Sequence, residues 1–207
     1  MNAPPRTLRA DLCLIAEMVR EDARVLDLGC GDGALLSWLQ AHRGVIGYGL
    51  EIDAEKITAC LGRGVNVIER DIDTGLADFE TDAFDLVVMT ETLQAVRNPG
   101  DVLDAMLRIA PDAIVTFPNF GHWRCRLHLA TRGTMPVAWH LPHAWYDTPN
   151  IHLCTFADFE ALCRERRVAI TQRTVVDAAY RPTRLGDAVP NLFGNIAIYG
   201  LRREADA

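Results

Sequence analysis

The sequence predicts an α/β protein: a doubly wound, mainly parallel sheet of seven strands with an antiparallel strand at its carboxyl terminus. Three observations indicate this fold. Seven apolar runs of strand length occur along 207 residues, and amphipathic helix patterns separate the early ones, as is typical of parallel strands covered on both faces. The first run leads into a glycine-rich turn. The last run follows a polar connection, so it can pair antiparallel without a crossover helix.

Hydrophobic periodicity places the individual elements. Apolar residues recur at helical spacing over 8–19, and Thr7 is positioned to cap this first helix. Asn98 and Pro99 begin a later helix in the favoured order of capping residue and proline. Strands are predicted at 24–28, 45–51, 65–70, 84–89, 113–117, 168–176 and 195–201, with further helices at 33–42, at 54–62 and from 155.

The alternation of strands and helices stops between Pro118 and Pro149. It resumes at Thr155 and Asp158, which form the capping-box pattern of a helix start. The length suits one domain with a full-sized core. We therefore expect a single domain over 1–207 that contains an inserted segment at 119–152.

Composition and charge argue against several function classes. The net charge of -7 and the pI near 5.3 argue against nucleic-acid binding, because affinity for phosphates requires clustered lysine and arginine. No stretch of 18 apolar residues and no signal-peptide core is present, so we expect neither membrane insertion nor export. The six cysteines include no Cys-x-x-Cys pair, and several lie among apolar residues, as expected for reduced thiols in the cytoplasm.

The strongest functional signal is the turn after the first predicted strand. Residues 24–33 read Arg-Val-Leu-Asp-Leu-Gly-Cys-Gly-Asp-Gly, so Asp27 ends an apolar strand and Gly29, Gly31 and Gly33 follow. Such glycines let the backbone turn sharply and approach a ligand closely, at the strand end where open α/β sheets bind ligands. The phosphate-binding loop is excluded because the only lysine lies elsewhere, and a nicotinamide fingerprint needs its third glycine later.

Three acidic residues, Asp27, Glu51 and Asp71, each follow a predicted strand. In a doubly wound sheet these positions converge on one edge of a cleft. Glu51 lies 22 residues after Gly29, near the separation at which an acid reaches a ribose diol. Asp71 can accept a hydrogen bond from an adenine amine while Ile72 packs on the ring. The pattern predicts an adenine nucleoside ligand with no phosphate-binding requirement.

Through this turn and these acids, the chain resembles the class I S-adenosylmethionine-dependent methyltransferases, which implies their Rossmann-like fold. The resemblance implies that Gly29 and Gly31 approach the methionine part of S-adenosylmethionine or S-adenosylhomocysteine, while Asp27 holds its ammonium group. Glu51 takes the ribose, and residues 71–72 flank adenine. The full predicted cofactor site consists of Asp27, Gly29, Cys30, Gly31, Gly33, Glu51, Ile52, Asp71, Ile72, Thr90 and Gln94.

The segment after the fourth predicted strand, residues 90–94, is expected beside the sulfonium of that cofactor. Methyl transfer depends mainly on proximity, but an oxygen acceptor usually also needs a base. Gln94 offers no base, so the sequence identifies no catalytic residue. For a true methyltransferase acting on a small metabolite, His122, His152 or Tyr146 is available to orient or deprotonate the acceptor.

Residues 120–152 hold five of the six histidines and three of the four tryptophans. One interpretation is a lid or a docking surface, since both favour aromatic anchors with polar edges. The other is that aromatic side chains merely cover the sheet and the histidines bond to the backbone. No metal site is expected, because His140 and His143 have only Asp147 as an acidic neighbour at a matching spacing.

Further stretches resemble a narrower family, the bacterial methionine-biosynthesis family MetW. They are Gly-Tyr-Gly-Leu-Glu-Ile-Asp at 47–53, Gly-Val-Asn-Val-Ile at 64–68, Thr-Leu-Gln-Ala at 92–95 and Tyr-Asp-Thr-Pro-Asn-Ile-His-Leu-Cys-Thr at 146–155. The resemblance covers about residues 8–177 and departs at Thr90-Glu91, where this chain has an extra carboxylate. It implies a cofactor-binding protein that works with homoserine O-acyltransferase and activates or regulates it.

Arginines interleaved with tryptophans are the expected contact residues for that partner. They are Arg124, Arg126 and Arg132, with Trp123 and Trp139. The sequence therefore leaves two functions open: a regulatory binding module and a catalytic methyltransferase.

Overall fold

A computed structural model describes residues 8–177 and 179–204, and its strands form one seven-stranded sheet in the order β3-β2-β1-β4-β5-β7-β6. The strands are β1 Arg24–Leu28, β2 Ile46–Glu51, β3 Asn66–Glu69, β4 Leu86–Thr90, β5 Asp112–Pro118, β6 Val168–Val176 and β7 Ile196–Arg203. The pairs among β1 to β5 are parallel, and β7 pairs antiparallel with both β5 and β6. The predicted fold class is confirmed.

Helices cover both faces of this sheet. They are α1 Ala10–Met18, α2 Ala34–Arg43, α3 Ala54–Gly62, α4 Ile72–Gly75, α5 Pro99–Ile109, α6 Trp123–Arg132, α7 Phe156–Glu165, α8 Arg184–Ala188 and α9 Pro190–Phe193, with a 3₁₀ turn at Leu76–Asp78. In the part of the chain that the structure describes, no helix is long and apolar enough to cross a membrane.

Two apolar cores lie on opposite faces of the sheet. One joins Leu26 and Phe117 of the strands to α5 and α7, and the other joins Val25 and Val88 to α1 and α2. Because side chains alternate along a strand, Asp27 shares the face of Val25. The carboxylate of Asp27 is therefore directed toward the layer formed by α1 and α2.

Strand β1 is the switch point of the sheet, because β2 and β3 lie on one side of it and β4 and β5 lie on the other. Strand β1 pairs with β2 on one side and with β4 on the other. A crevice opens at the carboxyl ends of the strands at such a switch point. The pairing of β1 with β4 places the glycine turn after β1 next to the segment that follows β4.

Some elements differ from their predicted bounds. Helix α1 begins at Ala10 with Arg9 at its N-cap and no side-chain cap, and the predicted cap Thr7 lies outside the described residues. Thr155 and Asp158 form both hydrogen bonds of the predicted capping box of α7. Helix α6 occupies a stretch for which the sequence predicted no helix. The sequence of α6 has no apolar periodicity that indicates a core-facing helix, because only Cys125 of its ten residues is buried.

Candidate ligand-binding site

The turn between β1 and α2 has a left-handed backbone at three glycines, with φ of 72° at Gly29, 58° at Gly31 and 73° at Gly33. The N–H groups of Gly29 and Cys30 both donate to the carbonyl oxygen of Leu50, at 2.9 and 3.0 Å, which ties the turn to β2. Side chains are disfavoured in this conformation. The alternation of glycine in the sequence thus follows from the backbone that the turn requires.

Two of these glycines face different surroundings. A Cβ atom on Gly29 would lie 2.6 Å from Oγ1 of Thr92, so the turn packs tightly against the segment after β4. A Cβ atom on Gly31 would meet nothing within 4 Å. Gly31 therefore borders open space, where a ligand can approach the backbone.

Asp27 is a buried carboxyl group with an unsatisfied oxygen. It is 1% exposed, and its Oδ1 atom has no hydrogen-bond partner among the described residues. Burial, with a further contribution from the charge of Glu51, raises the pKa of Asp27 from 3.8 to about 7. Such a group is stabilised by a cation or a donor placed beside it.

Glu51, at the end of β2, holds the glycine turn in place. Its Oε2 atom accepts from the N–H of Gly31 at 3.0 Å, and Oε1 accepts from the N–H groups of Ile52 and Asp53 at 2.9 and 3.1 Å. A carboxylate offers about four acceptor positions, so roughly one remains for a further donor. Glu51 thus has a structural role that the sequence did not predict, beside its predicted role toward a ribose.

The residues predicted to flank adenine lie after β3. Asp71 caps the short helix α4, because its Oδ1 accepts from the N–H of Asp73 at 2.9 Å. Ile72 is half-buried against the core, whereas Ile52 is 64% exposed. Glu69 pairs with Glu51 across the strands, so Asp71 follows β3 at the same edge of the sheet as Glu51.

A cleft of about 950 Å³ opens beside the glycine turn. Five predicted site residues line it: Asp27, Gly29, Cys30, Gly31 and Thr90. The other six do not line it: Gly33, Glu51, Ile52, Asp71, Ile72 and Gln94. The residues predicted for the methionine part therefore line the cleft. The residues predicted for ribose and adenine lie outside its lining.

The cleft also contains residues that the sequence analysis missed. Arg9, Leu12, Trp38 and Arg63 line it, from α1, α2 and the end of α3. Arg9 forms an ion pair with Asp11, with Nη2 and Oδ2 2.6 Å apart. No local pattern marks Arg9 as a site residue, because it reaches the cleft only through the packing of α1 beside the turn.

The segment after β4 connects the cleft to the region 119–152. Glu91 lines the cleft and has a left-handed φ of 52°, held by a hydrogen bond from its N–H to the carbonyl oxygen of Thr116 at 3.0 Å. Gln94 is buried. Its backbone carbonyl oxygen accepts from the N–H groups of Ile151 and His152 at 2.9 and 3.0 Å. The Oε1 atom of its side chain has no hydrogen-bond partner within the described ranges.

The three residues considered for acceptor chemistry lie apart from the cleft lining. Tyr146 is 75% exposed, and Nε2 of His152 lies 3.1 Å from the carbonyl oxygen of Arg97. His122 is buried and caps α6 through Nδ1. Burial and the charge of Arg124 lower the pKa of His122, which favours the neutral form of its imidazole.

The two histidines considered for a metal lie in different surroundings, since His140 is buried and His143 is not. Burial lowers the pKa of His140 to about 4, and its Nδ1 lies 3.4 Å from Nδ2 of Asn195. His143 is exposed. Among residues 8–177 and 179–204, no group of three or more His, Cys, Asp or Glu side chains is arranged to hold a metal ion.

Comparison with solved structures identifies the fold. An S-adenosylmethionine-dependent methyltransferase from Mesorhizobium loti superimposes with a TM-score of 0.68 and 18% identity, covering 94% of this chain and 98% of that one. The fold is that of the class I S-adenosylmethionine-dependent methyltransferases.

The family is narrower than this class. The family described as methionine biosynthesis protein MetW matches residues 9–201, and the chain belongs to the MetW family, as the sequence predicted. The bifunctional methionine biosynthesis protein MetXA/MetW of Rhodopirellula baltica is 35% identical over 207 residues, covering 96% of this chain and 33% of that protein. The chain thus spans about one third of the length of this relative. A ubiquinone biosynthesis O-methyltransferase of Pseudomonas fluorescens is 28% identical, covering 87% of this chain and 79% of that protein.

Proposed function

We propose that this chain binds S-adenosylmethionine, or S-adenosylhomocysteine, beside the glycine turn and regulates homoserine O-acyltransferase in methionine biosynthesis. The observation that carries the proposal is the relative from Rhodopirellula baltica, in which a region similar to this chain belongs to a protein named for both MetXA and MetW. Two activities that are joined in one chain in one organism often belong to partners in another. The acyltransferase is the partner that the family resemblance implies.

The residues around the cleft suit such a ligand. The unsatisfied carboxyl of Asp27 offers a position for the ammonium group of the methionine part, and the open space beside Gly31 accommodates its close approach. Arg9, which also lines the cleft, supplies a cation for the carboxylate. The remaining acceptor position of Glu51 serves a ribose hydroxyl, and Asp71 with Ile72 flanks adenine. S-adenosylmethionine, when bound, carries an electrophilic methyl group.

A regulatory role requires that the cleft communicate with a contact surface. The segment 90–97 provides a continuous connection: Glu91 lines the cleft, and the carbonyl oxygen of Gln94 binds the backbone of Ile151 and His152. S-adenosylmethionine is made from methionine. A partner that binds it can therefore report the level of end product to the first committed step, through different affinities for two states.

The test uses the two purified proteins. Acyl transfer to homoserine is measured with the acyltransferase alone, with an equimolar amount of this chain, and with S-adenosylmethionine added to both. Association on gel filtration and a higher rate in the complex support the proposal. If the proteins elute separately and the rate is the same in all samples, the proposal is wrong.

A second function, methyl transfer to a small metabolite, is favoured by the similarity to ubiquinone biosynthesis O-methyltransferases. Proton removal from an oxygen acceptor needs a base, and none of His122, His152 and Tyr146 lines the cleft. Formation of S-adenosylhomocysteine that depends on a cell extract supports this function. No formation with any extract fraction contradicts it.

A further inference from the structure

We propose that helix α6 is the surface on which the acyltransferase docks, through an apolar stripe flanked by two arginines. This inference rests on the proposed function and locates its contact surface. The stripe consists of Trp123, Leu127 and Ala130, and the arginines are Arg124 and Arg126.

The stripe follows from helical spacing. Residues separated by four and seven positions lie on one face of an α-helix, since successive residues are rotated by roughly 100°. Trp123, Leu127 and Ala130 have this spacing, and all three are exposed, with exposed fractions of 39% for Trp123 and 53% for Leu127. Cys125, the single buried residue of α6, falls on the other side of the helix. The apolar stripe therefore faces away from the rest of the protein.

Helix α6 is attached mainly at its beginning. His122 accepts from the N–H of Arg124 at 3.3 Å, and Nε of Arg126 donates to the carbonyl oxygen of Gly121 at 2.6 Å. Isolated helices of this length are marginal in water, and most helices gain their stability by packing an apolar face. A helix that buries one of ten residues and exposes its apolar side is suited to packing against a second protein.

The charge of this region limits the kind of partner. Residues 119–152 carry three arginines and one aspartate, whereas the whole chain carries a formal charge of -7. The guanidinium of Arg124 lies 5.3 Å from the ring centroid of Trp123, and Arg126 is bonded to carbonyl oxygens only. Neither arginine forms an ion pair with an acidic side chain within the described residues. A complementary surface is an apolar groove with carboxylates along its edges.

The positive charge of Arg124 and Arg126 disfavours a symmetric contact between two copies of this chain. In a two-fold dimer the same patch meets itself, so the arginines of one α6 would face those of the other. Arg132, the third predicted contact, lies roughly 180° around the helix from Trp123 by its spacing of nine residues. It is therefore placed off the docking face.

The test compares matched variants for binding to the immobilised, purified acyltransferase. Leu127→Asp on α6 is expected to weaken binding by roughly tenfold or more, whereas Leu61→Asp, at a 63% exposed leucine of α3, is expected to bind like wild type. Arg124→Glu should weaken binding and reduce its dependence on salt, while Arg132→Glu should do neither. Unchanged melting temperatures verify that the variants fold.

The outcomes separate this inference from the proposed function. If wild type does not bind the acyltransferase, the proposed function fails. If wild type binds and Leu127→Asp binds equally well, the docking surface is wrong although the function stands. If Leu127→Asp instead converts a dimer of this chain into monomers without affecting the acyltransferase, α6 contacts a second copy and the inference is overturned.

Discussion

Replacing Asp27 by asparagine is expected to stabilise the ligand-free protein at alkaline pH. The carboxyl is 1% exposed, and burial raises its pKa to about 7 from 3.8. The folded protein therefore binds a proton more tightly than the unfolded chain does, so the stability contributed by this group falls as the pH rises from 3.8 to about 7. The free-energy cost of burying Asp27 therefore grows by roughly 2–3 kcal/mol between pH 5 and pH 8.

Asparagine carries no charge at either pH, so this pH dependence is absent from the variant. A buried amide has its own unsatisfied groups, which cost about 1–3 kcal/mol at both pH values. The informative quantity is the difference in the free energy of unfolding between Asp27→Asn and wild type. This difference should shift in favour of the variant by roughly 2–3 kcal/mol between pH 5 and pH 8.

Urea denaturation at the two pH values measures this difference, because all other titrating groups are common to both proteins. Asp32→Asn is the matched control, since Asp32 belongs to the same turn and its side chain is 53% exposed. Comparison of the two variants separates the effect of burial from the effect of removing a carboxylate from this turn. An equal difference for Asp27→Asn at pH 5 and pH 8 would refute the reasoning that burial keeps this carboxyl protonated.

Four further predictions concern the site and the fold. The affinity for S-adenosylmethionine, measured by calorimetry, should fall about tenfold from pH 8 to pH 6 as Asp27 is protonated; a constant affinity contradicts an ammonium contact at Asp27. Gly31→Val should abolish this binding, because its side chain would occupy the open space of the cleft, and retained affinity would place the ligand elsewhere. Arg9→Gln should weaken binding by roughly tenfold through loss of a charged hydrogen bond, while equal heats of binding exclude Arg9 from the site. Thr155→Ala should lower the free energy of unfolding by about 1 kcal/mol because it removes the capping box of α7, and an unchanged urea midpoint would show that this cap adds nothing.

The segment after β4 links the cleft to residues 151–152. Glu91 borders the cleft, and the backbone carbonyl of Gln94 accepts from the N–H groups of residues 151–152, so a ligand that orders this segment acts on the end of the region 119–152. A variant without ligand affinity but with an intact docking surface, such as Gly31→Val, is expected to bind the acyltransferase and to lose its response to S-adenosylmethionine.

The positions of the strands along the chain and the position of the glycine turn could be predicted because they depend on local patterns. Apolar runs of β-branched and aliphatic residues specify buried strands, and the alternate glycines at 29–33 specify a backbone that other residues rarely adopt. The acids at or just after the carboxyl ends of β1, β2 and β3 could also be placed at one edge of the sheet. Parallel strands that alternate with helices end on the same side, so chain order alone is sufficient for this step.

Other features depended on contacts between segments distant in the chain. Arg9 lines the cleft only because α1 packs beside the turn, and Glu51 supports Gly31 through a hydrogen bond across 20 positions. Helix α6 had no apolar periodicity directed at a core, because it contributes only Cys125 to the interior. The sequence by itself determined which segments became strands and which edge of the sheet carries the glycine turn, through short-range periodicity and backbone preference. The tertiary structure decided which side chains share the cleft and which remain exposed, because burial and charge at each position are set by neighbours that the local sequence does not contain.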